Sequence, residues 1–187
     1  MLNKKLLSAL LISLLTLMAG QATADRPSDS AAKIDRDVDA ALQQLYATTP
    51  AARDLARHAK GILVFPTIVK AGFMAGVQYG GGGALRVNGR TVGYYNNVAG
   101  SYGFQAGIQS FGYAMFFMND DALSYLDRSE GWEIGAGPSV VIVDAGIARS
   151  LTTTTATDSV YAFIFGQKGL MAGIGLQGSK ITRIYPD

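Results

Sequence analysis

Glycine is distributed very unevenly along this 187-residue chain, and this distribution limits the folds that the chain can adopt. Twenty-two of the 23 glycines lie at or after Gly61, among short runs of valine, isoleucine, threonine, tyrosine and phenylalanine. Glycine destabilises helix interiors, whereas β-branched and aromatic residues favour strands. The sequence therefore predicts a helical N-terminal segment followed by a glycine-rich β domain over residues 61–187.

Two helices are predicted before the glycine-rich part. Between Asp29 and Ala47 the apolar residues recur at helical spacing, which indicates an amphipathic helix. A second helix is predicted in the sequence TTPAARDLARHAKG, with Thr49 as its cap and Pro50 in its first turn. In this prediction, residues 25–60 form the N-terminal helical segment.

The β domain contains one hairpin signal and one interrupting helix. Asn88-Gly89 is typical of a tight turn between two strands. The sequence NDDALSYLD indicates a short helix capped by Asn119. We therefore predict an α+β fold, in which N-terminal amphipathic helices pack on a curved, mostly antiparallel β-sheet or partial barrel. The spacing of strand-like runs favours about seven to nine strands.

The segment from Tyr102 to Met118 alternates between apolar and small or polar residues. Its even positions include Tyr102, Phe104 and Ile108, and its odd positions include Gly107 and Gln109. Strict alternation is typical of a strand with one covered face. The pattern therefore predicts that the even positions, Ile108 among them, are covered.

The first residues predict a secretory signal peptide. Lys4 and Lys5 precede an apolar run from Leu6 to Ala19, which is shorter than the roughly 20 residues that span a membrane. The sequence ATA, which ends at Ala24, offers a cleavage site. We therefore expect residues 1–24 to be removed and the mature chain to be periplasmic or secreted, with the periphery of the outer membrane as one location. The chain has no cysteine, so we expect neither disulfides nor a lipid anchor.

The charge of the chain disfavours a nucleic-acid partner. There are 16 basic and 14 acidic residues, and removal of Lys4 and Lys5 makes the two counts equal. The basic excess of nucleic-acid-binding domains is thus missing. The charges are nevertheless segregated: residues 40–119 carry six basic residues against Asp54, and residues 120–144 carry six acidic residues against Arg128. Folding could therefore produce one basic and one acidic surface.

Two motifs resemble nucleotide and calcium sites, but their contexts disfavour both. The sequence GIGLQGSK over residues 173–180 resembles a phosphate-binding loop, yet the strand-like sequence after it lacks the helix that such a loop requires. The sequence DRDVD lacks the glycine and glutamate of a calcium loop.

His58 is the only histidine, so neither a His/Cys metal site nor a Cys-His pair can be assembled. We therefore predict no catalytic residues, metal, cofactor or nucleotide.

Four segments of the chain resemble the SYLF-domain family and occur in the family's order. They are KGILVFPTIVKAGFMAG (60–76), GSYGFQAGIQ (100–109), GPSV (137–140) and QKGLMAGIGLQGS (167–179). The resemblance implies that the helices and the β domain form one SYLF-like domain, a non-enzymatic module that binds acidic phospholipid. Bacterial members are envelope proteins, and some eukaryotic members also bind actin, which we do not expect for a secreted bacterial protein.

The predicted lipid contacts are basic and apolar side chains. Each basic residue near an anionic surface contributes about 1 kcal/mol, so four give only about millimolar affinity, and apolar contacts must supply the rest. The predicted lipid-binding residues are Lys60, Lys70, Phe73, Met74, Arg86, Arg90 and Lys168. The alternative for these positions is that Phe73 and Met74 belong to the core and that Lys70 and Lys168 are ordinary surface charges.

A second function stays open at this point. The chain could be a structural or interaction protein of the bacterial envelope that binds another protein. Strand edges, or the acidic segment from Asp120 to Glu133, would then form the contact surface.

Overall fold

The computed structural model describes residues 30–128, 131–133, 138–143, 147–148, 151, 156–170 and 179–187. Among these, the side chains of residues 73–75, 101–106, 128, 131–133 and 170 lie outside the described part. The predicted cleavage site at Ala24 and residues 173–178 of the sequence GIGLQGSK also lie outside the described residues.

Three helices form where the sequence predicts them. They are α1 (Ala31–Thr48), α2 (Pro50–Ala56) and α3 (Asp120–Arg128). The side chain of Ser30 accepts a hydrogen bond from the backbone of α1, and the Oδ1 atom of Asn119 accepts one from the Ala122 amide at 2.9 Å. Both contacts satisfy amide groups that a helix start leaves without partners.

The described strands form one curved, mostly antiparallel sheet. They are β1 (Gly61–Val87), β2 (Arg90–Phe117), β3 (Gly131–Glu133), β4 (Val140–Val143), β5 (Val160–Leu170) and β6 (Ser179–Ile184). Strand β2 is central: β1 pairs with one of its edges, while β5 and β6 pair with opposite ends of its other edge. Strand β4 extends the sheet in parallel to β5, and β3 extends it antiparallel to β6. The predicted α+β fold is confirmed.

The turn between β1 and β2 is the one that its sequence predicts. Asn88 has a φ of 51° and Gly89 a φ of 76°. A two-residue hairpin turn with positive φ at both positions matches the right-handed twist of the strands that it joins.

The long hairpin bends so that the two halves of β1 face each other. Strands β1 and β2 are 27 and 28 residues long, far beyond the usual length, and the pairing between them shifts register at three places between residues 65 and 83. A Cβ atom at Gly80 would lie 2.8 Å from the Ile68 side chain, and one at Gly83 would lie 2.5 Å from the Phe65 ring. The bulges bend the strand, and the glycines allow its halves to meet.

The bent sheet separates two apolar cores. The inner core lies between the two halves of the sheet and includes Phe65, Ile68, Leu85, Tyr95, Phe111, Tyr113 and Ile181. The outer core lies between the other face of the sheet and helices α1 and α2, and includes Ile34, Val38, Leu45, Val64, Phe116 and Phe163. Helix α1 therefore covers part of the outer face.

Substitution of Gly83 by alanine tests the close approach inside the hairpin. The new methyl group would lie 2.5 Å from the buried Phe65 ring and 2.9 Å from the Val64 carbonyl oxygen, so we expect Gly83→Ala to lower the free energy of unfolding by about 1–3 kcal/mol. Chemical denaturation measures the change. Gly100→Ala is the matched control, because no atom lies within 4 Å of a Cβ at this position on β2. Equal stability of the two variants would contradict the proposed packing.

Candidate functional site

Exposed apolar side chains lie on the outer face of the sheet, away from the residues that pack against α1. Ile108 is 67% exposed and Val77 is 64% exposed, and four further large apolar side chains of β1 and β2 are also exposed, namely Val69, Tyr79, Val92 and Val98. We use the name outer apolar surface for the exposed side chains on the outer faces of the two halves of the bent hairpin: Val69 and Ile108 lie on one half, and Val77, Tyr79 and Val98 lie on the other. Such a set of apolar side chains on neighbouring strands is typical of a contact surface.

Two lysines lie in the same cross-strand rows as this surface. Tyr79 pairs with Val98, which in turn pairs with Lys180 of β6. Val69 pairs with Ser110, which pairs with Lys168 of β5. Directly paired residues place their side chains on the same face of a sheet, about 5 Å apart. The outer apolar surface therefore has an exposed ammonium group beside each of these rows.

Three of the predicted lipid-binding residues are accessible. Lys168 is exposed on β5, and Arg90 is exposed at the start of β2. Lys60 is exposed in the connection before β1, with its Nζ atom 3.7 Å from an Asp120 carboxylate oxygen. Phe73 and Met74 belong to β1, but their side chains lie outside the described part of the structure, so their predicted role stays a prediction.

Arg86 is largely buried and connects the hairpin to α1. Its Nη2 atom lies 2.7 Å from Oδ1 of Asp39 and 3.4 Å from Oδ1 of Asp35. Asp35 also accepts hydrogen bonds from the hydroxyl groups of Thr91, at 2.6 Å, and Tyr94, at 3.1 Å. The guanidinium group of Arg86 thus neutralises carboxylates of α1. It is engaged by these protein groups and not by a surface available to a lipid headgroup.

Lys70 is buried inside the sheet. Its side chain is 2% exposed, and burial lowers the pKa of its amine below the usual 10.5. Ile68, two residues earlier on the same face, belongs to the inner core, so Lys70 also faces inwards. The structure therefore places Lys70 away from the surface that a lipid headgroup would contact.

Lys70 belongs to a buried layer of polar side chains at one end of the inner core. The layer consists of Lys70, Gln78, Asn97, Gln109 and Ser179. Nε2 of Gln78 donates a hydrogen bond to Oδ1 of Asn97 at 3.1 Å, and Nδ2 of Asn97 donates one to Oγ of Ser179 at 3.0 Å. Lys70 pairs with Gln109 across β1 and β2. Ile68 on one half of β1 lies against Gly80 on the other half. Lys70 and Gln78 are the neighbouring inward-facing residues on these two halves, so they project from opposite walls of the inner core.

Burial of the polar layer costs free energy, because two of its hydrogen-bond acceptors have no donor. Among the described residues, the buried Oε1 atoms of Gln78 and Gln109 have no hydrogen-bond partner. An unsatisfied buried polar group costs about 1–3 kcal/mol. Burial of these two amide oxygens therefore carries a cost that apolar side chains at the same positions would not.

The described residues contain no group of three or more histidine, cysteine, aspartate or glutamate side chains that could hold a metal ion. His58 is exposed, with its Nδ1 atom 3.1 Å from the Asp54 carbonyl oxygen at the end of α2. No helix among the described residues has the length and apolar character needed to cross a membrane.

The even face of β2 differs from its prediction. Ile108 is exposed, whereas Gln109, on the opposite face, is 6% exposed. The even residues Ala114 and Phe116 are covered, because α1 packs on that part of the outer face. Alternation thus identifies the two faces correctly, but it does not reveal where the covering helix ends.

The buried amine of Lys70 should give the protein a specific pH dependence. In the unfolded chain the amine titrates near 10.5, and in the folded protein it titrates lower. Between these two pKa values the unfolded chain binds more protons, so stability increases with pH. We expect the free energy of unfolding of the wild type to rise, relative to that of Lys70→Met, between neutral pH and about pH 10.5.

Chemical denaturation of both proteins across this pH range measures the difference. Lys168→Met is the matched control, because it removes the amine of an exposed lysine. Parallel pH profiles for the wild type and Lys70→Met would contradict the burial of a protonatable amine.

The sequence model of one protein family matches the second half of the chain. This family, Ysc84, is described as Las17-binding protein actin regulator, and the match covers residues 98–184. It includes three of the four segments that resemble the SYLF-domain family, whereas the segment 60–76 lies outside it. No curated protein matches the chain. The family match confirms the resemblance over residues 98–184.

Proposed function

We propose that this chain, whose residues 98–184 match the sequence model of the Ysc84 family, is a non-enzymatic lipid-binding protein of the bacterial cell envelope. Its ligand is the surface of a membrane that contains acidic phospholipid. The mature protein acts in the periplasm or outside the cell.

The outer apolar surface is the observation that carries this proposal. Val69 and Ile108 on one half of the bent sheet, and Val77, Tyr79 and Val98 on the other half, are exposed where α1 does not cover the outer face. Lys168 and Lys180 lie in the cross-strand rows of Val69 and Val98. A membrane interface offers an apolar region below a layer of anionic headgroups. The apolar side chains and the flanking ammonium groups match these two layers.

The expected energies assign different roles to the two kinds of contact. Full burial of a valine or isoleucine side chain contributes about 1.5–3 kcal/mol, whereas a lysine near an anionic surface contributes about 1 kcal/mol. Apolar contact therefore supplies most of the affinity, and the lysines supply the preference for acidic lipid. Lys60 and Arg90 are exposed at the α2–β1 connection and beside the hairpin turn, outside the outer apolar surface, while Lys70 and Arg86 are held inside the protein.

Flotation with liposomes tests the proposal. We expect the mature protein to float with vesicles that contain acidic phospholipid, and to float less with purely zwitterionic vesicles. Added salt should weaken the difference, because screening reduces the lysine contribution. Absence of association with either kind of vesicle would overturn the proposal.

Surface variants locate the contact. Replacement of Ile108 by serine removes its exposed apolar side chain, so we expect Ile108→Ser to reduce the bound fraction on both kinds of vesicle. The double variant Lys168→Gln, Lys180→Gln should reduce the preference for acidic lipid instead. Arg36→Gln is the matched control, because Arg36 is exposed on α1, outside the outer apolar surface. Equal flotation of all four proteins would assign the contact to another surface.

A second candidate function is the binding of another envelope protein. The description of the matching family names a protein partner, and an exposed apolar surface can also contact a protein. The acidic start of α3, with exposed Asp120 and Asp121, offers a second contact region. A pull-down from envelope extracts that recovers one stoichiometric protein, together with failure to float, would favour this function over lipid binding.

A further inference from the structure

The two halves of β1 face each other in an antiparallel alignment. A Cβ atom at Gly80 would meet the Ile68 side chain, and one at Gly83 would meet the Phe65 ring. As the chain proceeds from Phe65 to Ile68 on one half, the opposite half runs back from Gly83 to Gly80 over the same number of residues. This alignment, continued towards the bend, assigns each residue of one half a residue at the same level on the other.

The part of the hairpin beyond these contacts contains the bend. It consists of residues 69–79 of β1 and residues 98–110 of β2, which pair with each other. We call it the bend end. Lys70 is the one charged residue in the sequence of these two segments, and it is buried between the halves. The sequence of the bend end thus adds no charged side chain to either outer face.

The outer level nearest the bend is apolar on both halves. Ile108 pairs with Ala71, and the alignment of the halves places Ala71 level with Val77. Among the described side chains of β1 and β2, Ile108 and Val77 are the most exposed large apolar ones. They lie on the outer faces of opposite halves, so they point away from each other.

The next outer level carries one exposed lysine on each half. It lies two residues farther from the bend, where the alignment places Val69 level with Tyr79. The cross-strand row of Val69 contains Lys168, and the row of Tyr79 and Val98 contains Lys180. A strand rises about 3.3 Å per residue, so the lysine level lies about 7 Å from the apolar level.

The space between the two halves is polar in the same region. Lys70 and Gln109 face inwards from one half, and Gln78 and Asn97 face inwards from the other. The bend end is therefore apolar outside and polar inside. Acyl chains around its two outer faces would contact the apolar side chains and leave the buried polar groups between the halves undisturbed.

The two outer levels match the layers of one membrane leaflet. Apolar protein faces at a membrane interface lie about 5–10 Å deep, at the boundary between headgroups and acyl chains, and a spacing of about 7 Å falls within this depth. The lysines of both halves share one level, as a planar layer of anionic headgroups requires. Because the outer faces point apart, a membrane that lay flat against one half would leave the other half in water.

We propose that the bend end enters the membrane end-on, so that both outer faces lie in one leaflet. Ile108 and Val77 then lie among the acyl chains, and Lys168 and Lys180 lie at the level of the acidic headgroups. This proposal rests on the proposed function in taking a membrane as the ligand. It adds the orientation of the protein and the joint insertion of the two halves.

Depth-dependent quenching of fluorescence tests the orientation. The chain has no cysteine, so Val77→Cys, Ile108→Cys and Val92→Cys each attach a single fluorophore to the mature protein. The vesicles contain acidic phospholipid and a lipid with a quencher on its acyl chain. We expect similar quenching of the labels at positions 77 and 108, and no quenching at position 92. Val92 is the matched control, because it is an exposed valine of β2 close to the hairpin turn.

Serine variants at the same positions test the energetic contribution of each half. We expect Val77→Ser and Ile108→Ser each to weaken binding to acidic vesicles about tenfold, which corresponds to about 1.4 kcal/mol, because each removes an apolar side chain that the leaflet would cover. Val92→Ser should bind as the wild type does. All three side chains are exposed, so the comparison does not depend on repacking of a core.

The possible outcomes separate this proposal from the proposed function. Quenching and loss of affinity at only one of positions 77 and 108 would overturn end-on insertion and retain a membrane contact through one half. Quenching at position 92 as strong as at the other two would also overturn it. Binding to vesicles without quenching at any position would retain lipid binding through another surface. Absence of binding to acidic vesicles would overturn both proposals.

Discussion

The close approach of the two halves of β1 is the constraint on which the rest of the structure depends. Gly80 and Gly83 admit the side chains of Ile68 and Phe65, where a methyl group would collide with them. Because the halves meet, one hairpin supplies both walls of the inner core. The opposite face of the same hairpin is then left for α1 and α2 to cover, and they cover only part of it.

The distribution of polar residues follows from this arrangement. The inner face changes from the apolar inner core to the layer that contains Lys70 and Gln109, while the outer face at the same level carries Ile108. Apolar residues are thus exposed and polar residues buried on neighbouring positions of β2. This inversion is costly for a protein in water, and the proposed contact of the outer face with a membrane would remove its exposed apolar side chains from water.

The sequence predicts the elements better than it predicts their surroundings. Helical periodicity, the cap at Asn119 and the Asn88-Gly89 turn are local signals, and the structure contains all three features. The burial of Lys70 and the partners of Arg86 depend on contacts between segments distant in the chain. Arg86 meets Asp35 about fifty residues away, and no local pattern encodes that meeting. Five of the predicted lipid contacts are basic residues. Their sequence does not reveal that Lys60, Arg90 and Lys168 are exposed. Nor does it reveal that Lys70 and Arg86 are held inside the protein.

The central claim is that the outer apolar surface, and not the helix side, enters the membrane. The chain has no cysteine, so one introduced cysteine can carry a single polarity-sensitive fluorophore. The most direct measurement compares labels at Ile108→Cys and Arg36→Cys during addition of acidic vesicles. The account predicts a blue shift of the emission at position 108 and none at position 36. A shift at position 36 alone, or at neither position while the protein is bound, would contradict it.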